Sequence, residues 1–346
     1  MVVVRYSTLM QHGSNDKKNV VIVGGGTGTH TLLRGLKQYQ KQISLRAIVT
    51  MADAGGSTGR LRDEFGYLPV GDVRMALVAL ASNEDEHEAL VRQLFLHRFD
   101  KGDGLSGHNI GNLLLVALTD ILGSEEAAIS AASRVLRVEG EVLPVTTESV
   151  HLVARYTNGT QVVGEHIIDE PAAGEDATIE TLSLTPAAAI HPRAEAAILD
   201  ADMVILGPGD LYTSVVANCV VDGVADALRH SNGKVVFVTN LMTKRGQTSG
   251  MGTREHVEVL SKYTSRQPDH VLVNTGVIDE DLLGRYAKEK EFPVAHNLDD
   301  SRVVADDFLA RDTIVTEKGD TLRRSLVRHD TRKVARVLMD ILKADG

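Results

Sequence analysis

The stretch NVVIVGGGTGTHTLLRGL, residues 19–36, combines a short apolar run, a glycine cluster and the start of an amphipathic helix. Val20–Val23 predict a buried β-strand. The turn that follows consists of Gly24, Gly25, Gly26, Thr27 and Gly28. Because the free N–H groups and the dipole of a helix N-terminus favour an anion, this strand, turn and helix predict a phosphate or nucleotide site.

The turn departs from two stricter phosphate-binding motifs. Thr29 stands where the dinucleotide fingerprint has its third glycine, and no Gly-Lys-Ser/Thr follows to make a Walker loop. An NAD-dependent oxidoreductase is disfavoured by this imperfect fingerprint and by the lack of an obvious hydride-transfer acid or base. An ordinary first strand and turn of an α/β fold stays open as an alternative.

The composition excludes several classes of protein. The chain has 346 residues, 43% of them hydrophobic, and a net charge of −10, which argues against a general nucleic-acid binder. Its one cysteine, Cys219, excludes an internal disulfide and stands among apolar residues, where we expect a small buried core side chain. The 13 histidines show no metal-ligand spacing, so no structural zinc is predicted.

The chain is predicted to be a cytoplasmic protein with no membrane span. Residues 1–18 look like a disordered or weakly ordered tail without the apolar core of a signal peptide, and no later run is long enough to cross a bilayer. Residues 19–346 are expected to form a single domain. An alternating run, Val150–Ile168, turns at Asn158-Gly159 and predicts a β-hairpin, within an insertion at about 147–190.

The remaining apolar runs alternate with helical segments and predict a Rossmann-like, doubly wound α/β fold with a mainly parallel sheet. Further parallel strands are predicted at Leu45–Val49, Met203–Leu206, Val235–Thr239 and Val271–Asn274, the last clear one. Thr213–Arg229 is predicted to be one helix. Ligands bind at the carboxyl ends of strands in such sheets, so we expect the site where Gly24, Asp53, Gly207 and Asn240 follow strands.

The loop Thr50–Gly66 after the second strand is polar and rich in glycine. Asp53 stands where such folds place an acid against a ribose or a metal, and Arg60 and Arg62 are long enough to reach a phosphate. A second anion nest is predicted from Gly55, Gly56, Ser57 and Gly59. A flexible surface loop with ordinary charges is the alternative.

Two more helix starts carry small polar residues. Asp72 is a plausible N-cap of the helix through Met75–Ala81, and His108 and Asn109 precede a strongly apolar helix. Simple helix capping is the alternative for His108.

Six stretches then resemble the bacterial gluconeogenesis factor family, also described as morphogenesis factors and related to the 2-phospho-L-lactate transferases. They run in the same order from Asn19 towards the C-terminus. They are VVIVGGGTGTHTLLRGLK (20–37), MADAGGSTGRLRDEFGYLPVGDVR (51–74), GLSGHNIGNLLL (104–115), VLRVEGEVLPVT (135–146), ADMVILGPGDLYTSV (201–215) and LGRYAKEKEFPV (283–294).

The resemblance implies a cytoplasmic Rossmann-like protein that binds a UDP-sugar, such as UDP-N-acetylglucosamine, and supports normal cell shape on gluconeogenic carbon sources. It also implies which residues contact that ligand. They are the phosphate loop Gly24–Gly28, Asp53, His108, Asn109, Gly207, Pro208, Gly209, Tyr212, Thr213, Ser214, Tyr286 and Arg328.

One departure from the family pattern bears on metal binding. The family usually has two adjacent acids where this chain has Asp53-Ala54, and the related transferases use acids in this region to hold Mg²⁺. We therefore interpret the chain as a nucleotide-sugar-binding regulatory protein. The alternative is a Mg²⁺-dependent phosphotransferase that moves a phospholactyl-type group, with Asp53 as the metal ligand.

The segment Glu317–Arg336 reverses the acidity of the chain, since it carries seven Lys/Arg against three acids. Arg328 suits bidentate contact with phosphate, and Thr331 has the spacing of a Ser/Thr kinase acceptor. A solvated C-terminal helix is the alternative. Which sugar nucleotide binds, whether the chain forms a homo-oligomer, and whether a cell-wall enzyme or a kinase is its partner are left open.

Overall fold

A computed structural model describes the chain at residues 17–53, 55–82, 84–169, 177–311 and 326–344. The predicted tail therefore lies outside the described residues except for its last two positions. The same holds for Ala54 and for the part of the basic segment that precedes residue 326.

The strands confirm the predicted fold class. In the described residues they are β1 (Lys18–Gly24), β2 (Ile43–Val49), β3 (Glu141–Pro144), β4 (His151–Tyr156), β5 (Gln161–Val163), β6 (Ile179–Thr185), β7 (Met203–Leu206), β8 (Lys234–Val238), β9 (His270–Asn274) and β10 (Val303–Asp306). Seven of them form one sheet in the order β10-β9-β8-β7-β1-β2-β3, and each neighbouring pair is parallel.

Helices flank this sheet. They are α1 (Gly26–Leu36), α2 (Gly56–Phe65), α3 (Gly71–Leu80), α4 (Glu86–Leu96), α5 (Ile110–Leu122), α6 (Glu125–Val135), α7 (Glu165–Asp169), α8 (Pro192–Leu199), α9 (Ala217–Cys219), α10 (Val224–His230), α11 (Thr253–Thr264), α12 (Glu280–Lys288) and α13 (Thr331–Lys343). A 3₁₀ turn at Lys37–Tyr39 follows α1, and a π-helical segment at Leu211–Val216 precedes α9. Within the described ranges, no helix has both the length and the apolar character that a membrane span requires.

The strand order changes direction between β1 and β7, which places a topological switch point there. From β1 the chain adds β2 and β3 on one side, and later adds β7, β8, β9 and β10 on the other. Doubly wound sheets bind ligands in the crevice at such a point. The turn after β1 and the turn after β7 both open into it.

The core explains why the first strand is so apolar. Val21, Ile22 and Val23 in β1 are fully buried, as expected for a parallel sheet that is covered on both faces. Cys219 is also buried, as predicted, and burial raises the pKa of its thiol to about 12.

The segment 147–190 contains a separate three-stranded antiparallel sheet in the order β5-β4-β6. Its hairpin turns at Asn158-Gly159, as the dipeptide predicts. The predicted extended run to Ile168 is wrong, because the chain leaves β5 after Val163 and turns into helix α7. The Tyr263 hydroxyl of α11 accepts the Leu182 N–H at 2.7 Å and joins this sheet to the main body.

Three local predictions are corrected. The loop Thr50–Gly66 contains helix α2 from Gly56 onward, and this helix buries Ser57, Thr58 and Leu61. Helix α3 begins at Gly71 with Val70 as N-cap, so Asp72 lies inside the first turn and is not the cap.

The predicted helix Thr213–Arg229 is interrupted before Val224, where Gly223 has a φ of 97°.

β10 follows the strand that was expected to be the last parallel one. It was missed because its four residues are mostly only partly buried and end in an acid, which gives a weak apolar signal.

Candidate functional site

The first glycine turn ends in a helix N-terminus that already receives a carboxylate. Gly25 is the N-cap of α1, and Gly26 has a φ of 63°, a conformation that favours glycine. The Gly26 N–H donates to Asp72 Oδ1 at 2.9 Å. One donor of the predicted phosphate loop is therefore engaged by a side chain of the protein itself.

Each glycine position of this turn needs glycine for a different physical reason. A Cβ on Gly25 would overlap the Asp72 carboxylate, and a Cβ on Gly28 would overlap the backbone of Pro208. Gly28 thus permits close packing of two turns. This packing alone explains why the position needs glycine, without a bound ligand. A Cβ on Gly26 would meet only Ser214 Oγ, at 3.7 Å, so space remains beside Gly26 and Ser214.

The structure brings three predicted strand-end loops into contact. Gly28 packs on Pro208, as described above, and Asn240 Nδ2 donates to the carbonyl of Gly209 at 2.7 Å. Asn218 Nδ2 donates to the carbonyl of Gly24 at 3.1 Å. The ends of β1, β7 and β8 therefore form one continuous edge, as the doubly wound fold predicts.

Asp53 joins this edge from the end of β2, and Asp72 lies beside it. Asp53 accepts the Gly55 N–H at 2.8 Å and the Thr58 hydroxyl. A Cβ on Gly71 would overlap Asp53 Oδ2, which places that carboxylate next to the start of α3. Asp53 and Asp72 therefore form a pair of neighbouring carboxylates at the start of α3.

Burial makes both carboxylates harder to ionise, and the charge of Asp53 adds to this effect at Asp72. Burial raises the pKa of Asp53 above its usual range, despite the hydrogen bonds from Gly55 and Thr58. Burial and then the charge of Asp53 raise the pKa of Asp72 to about 7, against the opposing effect of the Gly26 N–H and Arg74. Asp169 also faces Asp72 and raises its pKa further.

We expect Asp72→Asn to stabilise the fold at about pH 8 and to have a smaller effect at about pH 5. Between the unfolded pKa of 3.8 and the folded pKa of about 7, the folded chain binds more protons than the unfolded chain. The contribution of Asp72 to the free energy of unfolding is therefore fully present below pH 3.8 and is lost as the pH rises to about 7. Asparagine keeps an acceptor for the Gly26 N–H but does not ionise.

Urea unfolding at both pH values measures this effect. Asp63→Asn is the control, because the Asp63 side chain is 73% exposed. An Asp72→Asn variant that is less stable than the wild type at about pH 8 would contradict the assignment of a raised pKa.

A buried polar network holds the second glycine loop against α5. Ser57 in the first turn of α2 lies with its Oγ 3.2 Å from His108 Nδ1. The Asn109 N–H and the Asn112 amide both donate to Ser57 Oγ at 3.4 Å. Burial and the positive charge of Arg60 lower the pKa of His108, which favours its neutral form.

Asn109 and Arg60 of the predicted site have partners within the protein, whereas Gly56 faces open space. Asn109 caps α5 by accepting the Asn112 N–H, which agrees with helix capping. Arg60 donates to the carbonyl of Ser106 at 3.1 Å. Gly56 has a φ of 46°, and a Cβ there would meet nothing within 4 Å, so it faces open space.

The turn after β7 carries a charge cluster that sequence reasoning missed. Lys244 Nζ lies 2.8 Å from Asp169 Oδ1 and 2.9 Å from Asp210 Oδ2. The predicted ligand residue Thr213 donates to Asp169 Oδ1 at 3.2 Å. Tyr212 is buried, and its hydroxyl donates to the carbonyl of Ile179 in β6. This cluster ties the inserted sheet to the edge of the site.

Lys244 determines how these acids ionise. Burial alone would lower the pKa of Lys244, but the carboxylates of Asp210 and Asp169 raise it above its ordinary value. Burial opposes ionisation of Asp169, yet Lys244 holds its pKa below the usual range, while burial raises the pKa of Asp210. In the sequence, this cluster was indicated only by the position of its residues, since Asp210 and Lys244 follow strands and Asp169 lies inside the insertion.

A cavity of about 190 Å³ opens at the ends of β8 and β9. Its walls are Thr239–Leu241, Thr253, Val273–Ile278, Leu283, Pro293 and Val294. Thr239 Oγ1 and Asn240 Oδ1 are buried and find no hydrogen-bond partner in the part of the chain that the structure describes. The cavity is therefore lined by a mixture of apolar and polar residues.

Tyr286 and Arg328 lie near each other beyond this cavity. The half-buried Tyr286 packs against the small apolar cluster of Leu241, Ile278, Leu309 and Val327. Its hydroxyl accepts the N–H groups of Leu326 and Val327 at 2.8 and 3.2 Å. The tyrosine thus anchors the backbone just before Arg328. Burial lowers the pKa of Arg328.

Thr331 lies away from this edge. It contacts Gly35, which is nine residues from Gly26 along α1, or about 14 Å by helix rise. The α13 N-terminus is already capped by the Asp330 carboxylate, which accepts the N–H groups of Arg332 and Lys333. Phosphorylation of Thr331 remains a prediction, and a phosphate there would compete with Asp330 for the same donors.

The family described as 2-phospho-L-lactate transferase CofD matches residues 20–314. A gluconeogenesis factor of Halalkalibacterium halodurans is 41% identical over 327 residues, which cover 94% of this chain and 96% of that protein. A gluconeogenesis factor of Bacillus subtilis is 40% identical over 330 residues, which cover 94% and 99%.

A crystal structure of a Bacillus halodurans protein superposes on this chain with a TM-score of 0.82 and 38% sequence identity. The superposition covers 93% of this chain and 99% of that one. The parallel sheet and its flanking helices are therefore shared with an experimentally determined structure.

Proposed function

We propose, from the premise that this chain belongs to the 2-phospho-L-lactate transferase CofD family and to its gluconeogenesis factors, that it binds a nucleotide sugar. The ligand is of the UDP-N-acetylglucosamine type, and the bound state regulates cell-wall metabolism and cell shape during gluconeogenic growth. Binding, and not turnover, is the proposed function.

One observation carries this proposal: strand-end loops of neighbouring strands form a single polar edge at the switch point. The contacts run from Asp53 and Asp72 through the Gly24–Gly28 turn to Gly209 and Asn240. The 190 Å³ cavity lies at the far end of this edge. An elongated ligand with phosphates in the middle suits this shape better than a compact one.

The charge of the edge constrains the ligand. Asp53, Asp72, Asp169 and Asp210 contribute four carboxylates, against Lys244 and Arg74 nearby. A diphosphate therefore depends on backbone N–H donors of the glycine turns and on neutral polar groups, or on an added cation. For this reason the proposal includes a test with and without Mg²⁺.

A Mg²⁺-dependent phosphotransferase is the second candidate, and the proximity of Asp53 and Asp72 favours it. One or two carboxylates together with phosphate oxygens are the usual ligands of Mg²⁺. Asp53 and Asp72 would hold the ion, which would neutralise phosphate charge. Among the described residues no group of three or more His, Cys, Asp or Glu is arranged for a metal, so the ion would depend on ligand oxygens.

Calorimetric titration of the full chain separates these functions. UDP-N-acetylglucosamine, GDP and NAD are each titrated with and without Mg²⁺. We expect UDP-N-acetylglucosamine to bind and to be recovered unchanged after long incubation. Absence of binding by this ligand would refute the proposal, and release of a transferred group would favour the phosphotransferase.

We expect Tyr286→Ala to weaken UDP-N-acetylglucosamine binding about tenfold, or ~1.4 kcal/mol, without unfolding the protein. Its ring packs beside the cavity and its hydroxyl fixes the backbone before Arg328. Tyr286→Phe keeps the ring and removes only the acceptor, so its effect should be smaller. Titration and thermal melting of both variants measure this, and wild-type affinity in Tyr286→Ala would remove the residue from the site.

A further inference from the structure

Helix α5 carries an apolar stripe on its solvent side. We call Leu114, Ala117, Leu118 and Ile121 the outer stripe, because their spacing places them on one face of the helix. Leu114 and Ile121 are 39% and 75% exposed, Ala117 is exposed, and Leu118 is half-buried. A surface helix normally carries polar residues on this side, so the outer stripe indicates a surface that another molecule covers.

Neighbouring elements extend this apolar surface. The Tyr67 hydroxyl donates to Asp120 Oδ1 at 2.9 Å, which holds the chain after α2 against α5. Phe65 stacks on Tyr67 with the ring centroids 6.4 Å apart and is 53% exposed. Helix α4 packs on α5 and exposes Leu90 and Leu94, one helical turn apart. Single exposed apolar side chains are normal on a protein surface, but here they occur together on adjoining elements.

The charge of α5 restricts the kind of partner. Asp120 is the one charged residue among its thirteen, and it lies beside the outer stripe and not in it. A strongly acidic or basic partner therefore meets no opposite charge there. Helices that lie on membranes are rich in Lys and Arg on their polar face, and the thirteen residues of α5 include neither. The chemistry that fits is an apolar protein surface.

The order of side chains along the outer stripe matches the same stripe on a second copy of the chain. A two-fold axis that passes between residues 117 and 118 turns the second α5 antiparallel to the first. It pairs Leu114 of one copy with Ile121 of the other, and Ala117 with Leu118, so the pattern is complementary to itself. The small Ala117 at the centre lets the two helix axes approach to about 8–10 Å.

We propose that the outer stripe of α5 is the contact surface of a two-fold symmetric homodimer in solution. Phe65 and α4 flank the contact and enlarge the area that it removes from water. This burial is the driving force, since an isologous contact buries the same apolar side chains twice. The dimer does not depend on the proposed ligand, because none of the four residues of the outer stripe belongs to the candidate site.

Sedimentation equilibrium of the full chain tests the proposal. We expect wild type to sediment as a dimer at micromolar concentration. Leu114→Glu should weaken dimerisation about a hundredfold or more, because each copy would bury a carboxylate without a partner. Leu199→Glu on α8 is the matched control, since Leu199 is 43% exposed and lies outside the outer stripe. This control should leave dimerisation unchanged.

Ile121→Glu is the second variant if Leu114→Glu does not fold, because its more exposed position tolerates a charge in the monomer. It should weaken dimerisation to a similar extent. Thermal melting confirms that each variant is folded.

A cross-linking experiment tests the symmetry of the contact. Ala117→Cys lies beside the proposed two-fold axis, so mild oxidation with copper phenanthroline should join two copies through a disulfide. Cys219 is buried and does not compete. Leu199→Cys is the control and should stay mostly unlinked under the same conditions.

Wild type that sediments as a monomer would overturn the proposal, and so would a monomer that floats with phosphatidylcholine vesicles, which would assign the outer stripe to lipid. A dimer that withstands both glutamate variants and gives no Ala117→Cys cross-link would place the contact elsewhere and would also overturn it. Binding of UDP-N-acetylglucosamine by either species leaves the proposed function standing, so the two proposals fail separately.

Discussion

Replacement of Lys244 by methionine is expected to lower the free energy of unfolding by about 3 kcal/mol at pH 7. Lys244 Nζ lies 2.8 Å from Asp169 and 2.9 Å from Asp210, and methionine leaves these two acids without their cation. Removing one partner of a buried ion pair usually costs about 3–5 kcal/mol. The low end of this range applies because 26% of the Lys244 side chain is exposed. Urea unfolding at pH 7 measures the loss.

The same variant should recover stability in acid. Burial raises the pKa of Asp210, so this carboxyl takes up a proton as the pH falls and no longer needs Lys244. A Lys244→Met/Asp210→Asn double variant should likewise regain part of the lost stability at pH 7. Lys41→Met, at an exposed position, is the control. A Lys244→Met protein as stable as the control at pH 7 would show that the cluster does not stabilise the fold.

Gly26→Val is expected to weaken UDP-N-acetylglucosamine binding by a hundredfold or more, or about 2.8 kcal/mol. A Cβ at Gly26 would lie 3.7 Å from Ser214 Oγ, at the turn where we propose that the phosphate binds. The φ of 63° also makes valine strained there, at a cost on the order of 1–3 kcal/mol to folding. Calorimetric titration of the folded variant measures the loss of affinity.

Gly123→Val is the control that separates the effect of backbone strain from the loss of the phosphate site. Gly123 has a φ of 76° at the end of α5, and a Cβ there meets nothing within 4 Å. Both variants should show a similar fall in melting temperature, but only Gly26→Val should lose the ligand. If the two bind UDP-N-acetylglucosamine equally well, the first glycine turn is not the phosphate site.

Much of the fold could be predicted because its signals are local. The apolar run Val20–Val23, the glycines after it and the exact match of Met203–Leu206 to β7 are properties of short stretches. A parallel sheet buried on both faces requires continuous apolar strands, so its strands stand out in the sequence. β10 lacks this signal at the edge of the sheet, and it was missed.

The site was predicted less completely, because its charges act across loops that are distant in the chain. Gly28 was expected to contact phosphate, but its lack of a side chain is required by Pro208, which is 180 positions later. Asp72 was expected to cap its own helix, but it accepts the Gly26 N–H instead. Sequence spacing does not report such contacts.

The sequence by itself determined the doubly wound α/β fold, the family and the loops that edge the site, since each depends on periodicity, glycines or motifs read in order. Only the tertiary structure decided that Asp72 lies beside Asp53, that Lys244 pairs with Asp169 and Asp210, and that a cavity of about 190 Å³ lies at the ends of β8 and β9. These features depend on burial and on distances between loops, and both are set by how the strands are ordered across the sheet.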